Sequence, residues 1–307
     1  MSRFLVTGGA GFIASNLVDK LSEDPGNFVV AVDNFLTGKK GHISNRSNIR
    51  FIKADVNIFD DISSVFSAAG FDYVYHYAAV VGVKRTLENP VLVLQDIDGI
   101  KNVLKLSKNT GVKRVFYASS SEVYGEPVEL PQHEETTPLN SRLPYAVVKN
   151  IGESFLRSYK YEYGLDFTIF RFFNTYGPRQ SNDFVMSKFL DAALAGRDIP
   201  VYGDGLQTRT FCYVADNVEA TTNALKDKST IDEVVNIGND DEITILDLAK
   251  KIIKKTSSKS KIIHLPPLKE GDMKRRQPDA TKMKKLLGRP LTSLDKGIEE
   301  LINYRTT

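Results

Sequence analysis

Along its first half this chain alternates short runs rich in β-branched and aromatic residues with longer stretches of helical period, and that alternation limits the fold more than any other feature. The order is FLVT, a helix from Phe12 to Leu21, FVVAVD, IRFIKAD, a helix near Ile62 to Ala69, YVYHYAA, a helix around Asn89 to Asn109, VKRVFYAS, a long helix from about Tyr145 to Tyr163, and FTIFRFFN. A helical crossover returns the chain to the same end of a sheet, so strands joined this way run parallel, with helices on both faces. The expected fold class is α/β, a doubly wound parallel sheet. After about Asn174 the chain passes into loops rich in Gly, Pro, Asn and Asp, such as NTYGPRQSND and VYGDGLQTRT, and ends rich in lysine. At 307 residues it exceeds the usual single domain. We therefore expect a first unit over residues 1–174 and a smaller lobe, mainly over residues 175–307, covering the sheet's carboxyl edge. VVNIG is a segment that can return to the first unit.

Charge and cysteine content narrow the class of function. A formal charge of +3 on 41 basic and 38 acidic residues is near balance, and KKIIKK and Lys282 to Lys285 read as solvated helix faces. No basic stretch is interleaved with a base-stacking motif, which argues against a nucleic-acid partner. A single cysteine, Cys212, cannot form a disulfide within the chain, and a reducing, cytoplasmic setting suits it. No run of about 18 apolar residues is present, so no membrane span is expected. His42, His76, His133 and His264 are scattered, and no catalytic metal is expected. His76, in a strand end, reads as packed.

TGGAGFIAS follows the first strand and opens a helix. Gly9, Gly11 and Ala14 fit the dinucleotide fingerprint G-x-G-x-x-G/A, and Gly8 extends it. Glycines let the backbone turn sharply toward a pyrophosphate, whose charge then meets the unpaired N–H groups of a helix N-terminus. Asp33 ends the second strand some 20 residues on, where a carboxylate accepts hydrogen bonds from an adenosine ribose and repels a 2′-phosphate. The expected cofactor is NAD rather than NADP. Phe12 and Ile13 at the helix start, and Asn34, Asp55, Val56, Ala78 and Ala79 at the next strand ends, are candidate cofactor contacts.

In LPYAVVKN, Tyr145 and Lys149 are four apart on one helix face. A free tyrosine, with a pKa near 10, is a poor base at neutral pH, and a neighbouring ammonium lowers it. In this order and spacing, TGGAGFIAS, Asp33, SSSEVYG, YAVVK and FNTYGPRQ resemble the extended short-chain dehydrogenase/reductase family, whose members bind NAD on a Rossmann domain and modify nucleotide sugars. The resemblance spans most of the chain and departs at Ala14, where many relatives have glycine. It implies that Tyr145 is the catalytic base, that Lys149 supports it and the nicotinamide ribose, and that Ser120 bonds the reacting hydroxyl. The implied chemistry is a reversible oxidation of the sugar at C4, the cofactor carrying the hydride.

The next residues set the outcome. Within this family, epimerases usually have a small or neutral residue where Glu122 stands, and dehydratases have Asp then Glu. Decarboxylating members have Ser or Thr, then Ser, then Glu, which Ser120, Ser121 and Glu122 match. A 4-keto uronic acid is a β-keto acid, so loss of carbon dioxide leaves an enolate that the ketone absorbs. Glu122 would then position the ring or the water that reprotonates C5; the alternative is a solvated carboxylate at a strand end. Arg275 and Arg276 in KRRQPDA are candidates to meet the substrate carboxylate, with Arg276 matching the R-x-P of similar decarboxylases; a basic loop or a diphosphate contact is the other reading. Arg209 resembles the family's diphosphate-binding arginine and Asn174 its substrate-loop asparagine. Arg179 and Lys84 complete the expected substrate contacts. The leading expectation is decarboxylation of UDP-glucuronate to UDP-xylose. C4 epimerisation comes second, 4,6-dehydration third, and a non-catalytic dinucleotide sensor last. The resemblance also implies a homodimer paired through helices near Asn89 to Asn109 and Tyr145 to Tyr163.

Overall fold

In the computed structural model, which describes residues 2–267 and 275–307 (for residues 83 and 84 the backbone alone), the alternation becomes a seven-stranded sheet. The chain runs β1 (Ser2–Thr7), α1 (Phe12–Leu21), β2 (Asn27–Asp33), β3 (Ile49–Lys53), α2 (Phe59–Ala69), β4 (Tyr73–His76), α3 (Val83–Glu88), α4 (Pro90–Leu94), α5 (Asp96–Thr110), β5 (Arg114–Ser120), α6 (Pro144–Tyr163) and β6 (Asp166–Phe172). There follow β7 (Thr175–Tyr176), α7 (Val185–Leu194), β8 (Ile199–Tyr202), β9 (Thr208–Thr210), β10 (Cys212–Tyr213), α8 (Val214–Lys226), β11 (Glu233–Ile237), β12 (Glu242–Thr244), α9 (Ile245–Lys255), β13 (Ile262–Leu265), α10 (Thr281–Leu287) and α11 (Leu294–Thr306).

The strand order is β11-β6-β5-β4-β1-β2-β3, and every pairing is parallel. The order reverses at β1, where Thr7 pairs with Val32 on one side and His76 on the other. The connections leave β1 and β4 in opposite directions there, so a crevice opens beyond their carboxyl ends. Thr7 ties the two ends together. Its Oγ accepts from the N–H groups of Tyr77 and Ala78, both at 3.1 Å, so its single proton goes to His76 Nδ1 at 2.9 Å. Burial pushes the His76 imidazole down to about 3, which keeps it neutral and able to accept that bond.

Helices bury one apolar stripe on each sheet face. One core takes Ile62 and Phe66 of α2, Val103 of α5 and Val148 of α6; the other takes Leu17 of α1, Ala220 of α8 and Met283 of α10. A third core, with Phe189, Val201, Leu248 and Leu301, packs α7, α9 and α11 around β8. The first four residues of VVNIG, 234–237, lie in β11 and pair with β6 at the edge of the main sheet. The helix expected around Asn89 to Asn109 is broken, because α4 and α5 separate at Gln95 and Asp96 turns its carboxylate to the Val80 N–H at 2.8 Å. No helix among the described residues is long and apolar enough to cross a membrane. Nor, among them, do three His, Cys, Asp or Glu side chains gather to hold a metal.

Candidate active site

A cavity of about 500 Å³ opens at the crevice between β1 and β4 and extends under the smaller core. Its glycine-loop wall is shaped by close backbone approach. Gly8 has φ +71°, and a Cβ there would come within 2.9 Å of the Ala78 backbone. The Gly11 N–H closes the turn on Gly8 O at 2.8 Å, and the next residue starts α1. Asp33, at the end of β2, is 7% exposed, and its carboxylate accepts from the N–H groups of Phe35 at 2.7 Å and Ala10 at 3.1 Å. Burial raises its pKa and these bonds oppose the shift. Phe12, Ile13, Asn34, Asp55, Val56, Ala78 and Ala79 line the same wall, with Asn34 donating to Asp55 at 2.9 Å.

Arg179 lies on this side too, rather than with the reacting end. It pairs with Asp19 of α1 at 2.7 Å, and its buried Nη1 has no hydrogen-bond partner among the described residues. An orphaned donor in the cavity wall, the N-terminus of α1, a small-residue cradle and a carboxylate at a strand end together fit a dinucleotide. Asp33 and His42 form the outer end of this wall. His42 donates from Nδ1 to Ala10 O at 2.9 Å, since a carbonyl can only accept, and burial lowers its pKa.

The reacting end is built where β5 meets α6. Ser119 donates to Glu153 at 2.6 Å, and Glu153 is clamped by Arg171 of β6 through bonds of 3.0 and 2.7 Å. Both charged side chains of that clamp are 3% exposed, and Arg171 Nη1 also reaches Tyr124 at 2.9 Å. The strand end is thereby fixed to the helix that carries Tyr145 and Lys149. Gly152 permits the close approach, because a Cβ there would meet the Tyr117 hydroxyl at 2.2 Å. Ser120 Oγ accepts from the Glu122 N–H at 3.1 Å and also hydrogen-bonds Tyr145. Lys149 is 4% exposed, donates to Ala118 O at 2.7 Å and lies 5.0 Å from the centre of the Tyr117 ring and 5.8 Å from that of Tyr145.

The titration of this pair differs from the sequence expectation. Burial, then the Glu122 carboxylate, hold the Tyr145 phenol above its ordinary range, opposed by the Ser120 bond and by Arg276. Lys149 is itself pushed down to about 8 by burial. Desolvation thus outweighs the effect of the lysine on the tyrosine in this cavity.

Glu122 is not a solvated carboxylate. Arg276, 5% exposed, reaches its Oε1 at 3.0 Å and Ser121 Oγ at 3.4 Å, across 154 residues of chain. A short parallel bridge brings the arginine in: Gln132 N–H donates to Gln277 O, and Asp279 N–H to Gln132 O, both at 2.8 Å. Its neighbour Arg275 points elsewhere, half exposed and bonded to Glu242 at 2.6 Å, so the expectation that it faces substrate is corrected. Arg209 lies outside the cavity wall as well; it is 9% exposed in β9, with Nη1 on Thr208 O at 2.7 Å. Asn174 does line the cavity, and its buried Nδ2 has no hydrogen-bond partner among the described residues. The side chain of Lys84 lies outside the described residues. Sequence reasoning missed Asp96, which no motif marks, Thr7, which opens TGGAGFIAS but was given no role, and His42, which was counted only as a possible metal ligand.

Residues 4–238 match the model of the NAD dependent epimerase/dehydratase family. A UDP-N-acetyl-alpha-D-glucosaminuronate decarboxylase from Bacillus cytotoxicus is 40% identical, over 98% of this chain and 97% of its own. UDP-glucuronic acid decarboxylase 1 from Danio rerio is 37% identical, over 98% of this chain and 72% of its own. The crystal structure of a UDP-glucose 4-epimerase with UDP-glucose, from Thermotoga maritima, aligns with a TM-score of 0.93 at 33% identity, covering 99% of this chain and 98% of that one. The chain belongs to the NAD dependent epimerase/dehydratase family, among the extended short-chain dehydrogenases/reductases. It is an NAD-dependent enzyme that modifies nucleotide sugars.

Proposed function

We propose that this enzyme decarboxylates a UDP-linked uronic acid through a 4-keto intermediate, with UDP-glucuronate as substrate and UDP-xylose as product. The observation that carries this reading is Arg276 held against Ser121 and Glu122 beside Tyr145. An arginine fork matches a carboxylate, and a uronate is the sugar that brings one to this place. NAD, when bound, accepts the C4 hydride and later returns it.

The protein's residues do the rest. Tyr145, bonded to Ser120, takes the C4 hydroxyl proton as a phenolate, which the Lys149 ammonium and the cationic ring of bound NAD would have to stabilise against the cost of burial. Arg276 orients the substrate carboxylate so that the bond from C5 to it breaks, its electron pair passing to the C4 ketone as an enolate. Glu122, released from Arg276 by the incoming anion, directs a water whose proton is delivered to C5. Ser121 lacks an acid strong enough to expel the C6 hydroxyl, which disfavours dehydration. Asn174, with its free amide, is the contact for the nucleotide end. The relative from Bacillus cytotoxicus supports the 2-acetamido uronate as the second substrate to try. The likeness to the Thermotoga maritima protein supports C4 epimerisation as a second reading. We place the enzyme in the cytoplasm as a homodimer, with Val91, Leu94 and Val147, exposed on α4 and α6, facing the partner.

Purified enzyme with NAD, offered UDP-glucuronate, UDP-N-acetylglucosaminuronate, UDP-glucose and UDP-N-acetylglucosamine separately, tests this by mass spectrometry. Loss of carbon dioxide from a uronate is expected. Inverted C4 at unchanged mass would replace the reading with epimerisation.

A further inference from the structure

Lys149 carries its charge in a poor place. Its side chain is 4% exposed, and the oxygen it bonds, Ala118 O, is neutral. A buried ammonium needs an opposing charge or it gives up its proton. The charged and titratable groups that act on it electrostatically or lie against it among the described residues are Asp96 of α5, which lines the same cavity, His76 of β4, Tyr117 of β5 and Tyr145 on its own helix. His76 is neutral, the two phenols hold their protons, and Glu153 is committed to Arg171. That leaves Asp96.

Asp96 keeps its charge against burial only with support from its surroundings. It lines the same cavity, its Oδ2 accepts from the Val80 N–H at 2.8 Å, and it opens α5, where a helix N-terminus favours an anion. Asn57 bonds it and Asp55 repels it, and burial raises its pKa against the lowering effects of Val80 and Lys149. The cavity must also admit oxidised NAD, whose nicotinamide ring is cationic. A second cation drives a buried lysine further toward neutrality unless a carboxylate offsets it.

We propose that Asp96 is the through-space counter-ion of Lys149, a positioning residue whose negative charge keeps the lysine an ammonium while the cofactor's cationic ring shares the cavity. The inference rests on the reading of Lys149 as the support of Tyr145. Asp96→Asn tests it, because the amide oxygen still accepts the Val80 N–H while the charge is lost, and the Lys149→Met background controls for any change in the Asn57 bond. Thermal unfolding of the purified full chain is compared at neutral pH for the wild type, Asp96→Asn, Lys149→Met and the double variant. Asp96→Asn is expected to lower the unfolding midpoint in the wild type, where it strands a cation. In the Lys149→Met background it should leave the midpoint unchanged or raise it, because it removes a stranded anion. In turnover, the alkaline limb of the wild-type pH profile should move down by about 1 unit in Asp96→Asn. An equal fall in both backgrounds, or an unmoved alkaline limb, overturns the proposal. Absence of turnover in the wild type would count against the enzymatic reading instead, and the unfolding comparison still decides the role of Asp96.

Discussion

Glu122 and Arg276 show how one pair can hold a site in waiting. Each satisfies the other, so neither charge is stranded, and a substrate carboxylate must compete for the arginine. Arg276→Ala should cut kcat/KM for the uronate by about 30-fold or more, as expected when about 2 kcal/mol or more is lost with one partner of a buried charge pair. The affinity for UDP alone, measured by calorimetry, should not change; a parallel loss would make Arg276 a diphosphate contact. Lys149 supplies a second prediction. Its folded pKa near 8 lies below the ordinary 10.5, so between those values the unfolded chain binds more protons than the native one and stability rises with pH. The cost of burying the ammonium is complete below the lower value and gone above the upper. The unfolding midpoint of the wild type relative to Lys149→Met should therefore move in the wild type's favour between about pH 7 and pH 10, and a constant difference would contradict the depressed lysine.

At the scale of elements, the glycine loop and the strand ends carry the cofactor wall. Gly8→Ala would force a Cβ into a left-handed backbone and against Ala78, so it should lose NAD affinity in titration calorimetry and about 1–3 kcal/mol of stability. Unchanged affinity would mean that the loop adjusts without cost. The sheet was legible in the sequence because parallel strands buried on both faces read as apolar runs between helical periods. The fingerprint, Asp33 and the Tyr145–Lys149 pair were legible because they are local patterns on single elements. Side-chain direction was not. Arg275 and Arg276 are adjacent, yet one bonds Glu242 and the other Glu122, and only the bridge between residues 132 and 278 decides which enters the cavity. Arg209 and Arg179 likewise sit where tertiary packing turns them, and Asp96 was hidden inside what read as one continuous helix.

Across the whole molecule, the cavity is assembled from distant parts of the chain. The phosphate loop, the end of β5, the start of α6 and the strap bearing Arg276 converge because the parallel sheet puts every strand's carboxyl end on one edge. Oxidation of the sugar at C4 is shared by the decarboxylase, epimerase and dehydratase readings, so the distinguishing step is what happens at C5. The most direct measurement is proton NMR of the product formed from UDP-glucuronate in heavy water. Decarboxylation with solvent protonation of the enolate predicts a UDP-pentose carrying one deuterium at C5 and no carboxylate. A UDP-uronate that keeps its carboxylate and its original C5 hydrogen, with C4 inverted, would contradict it.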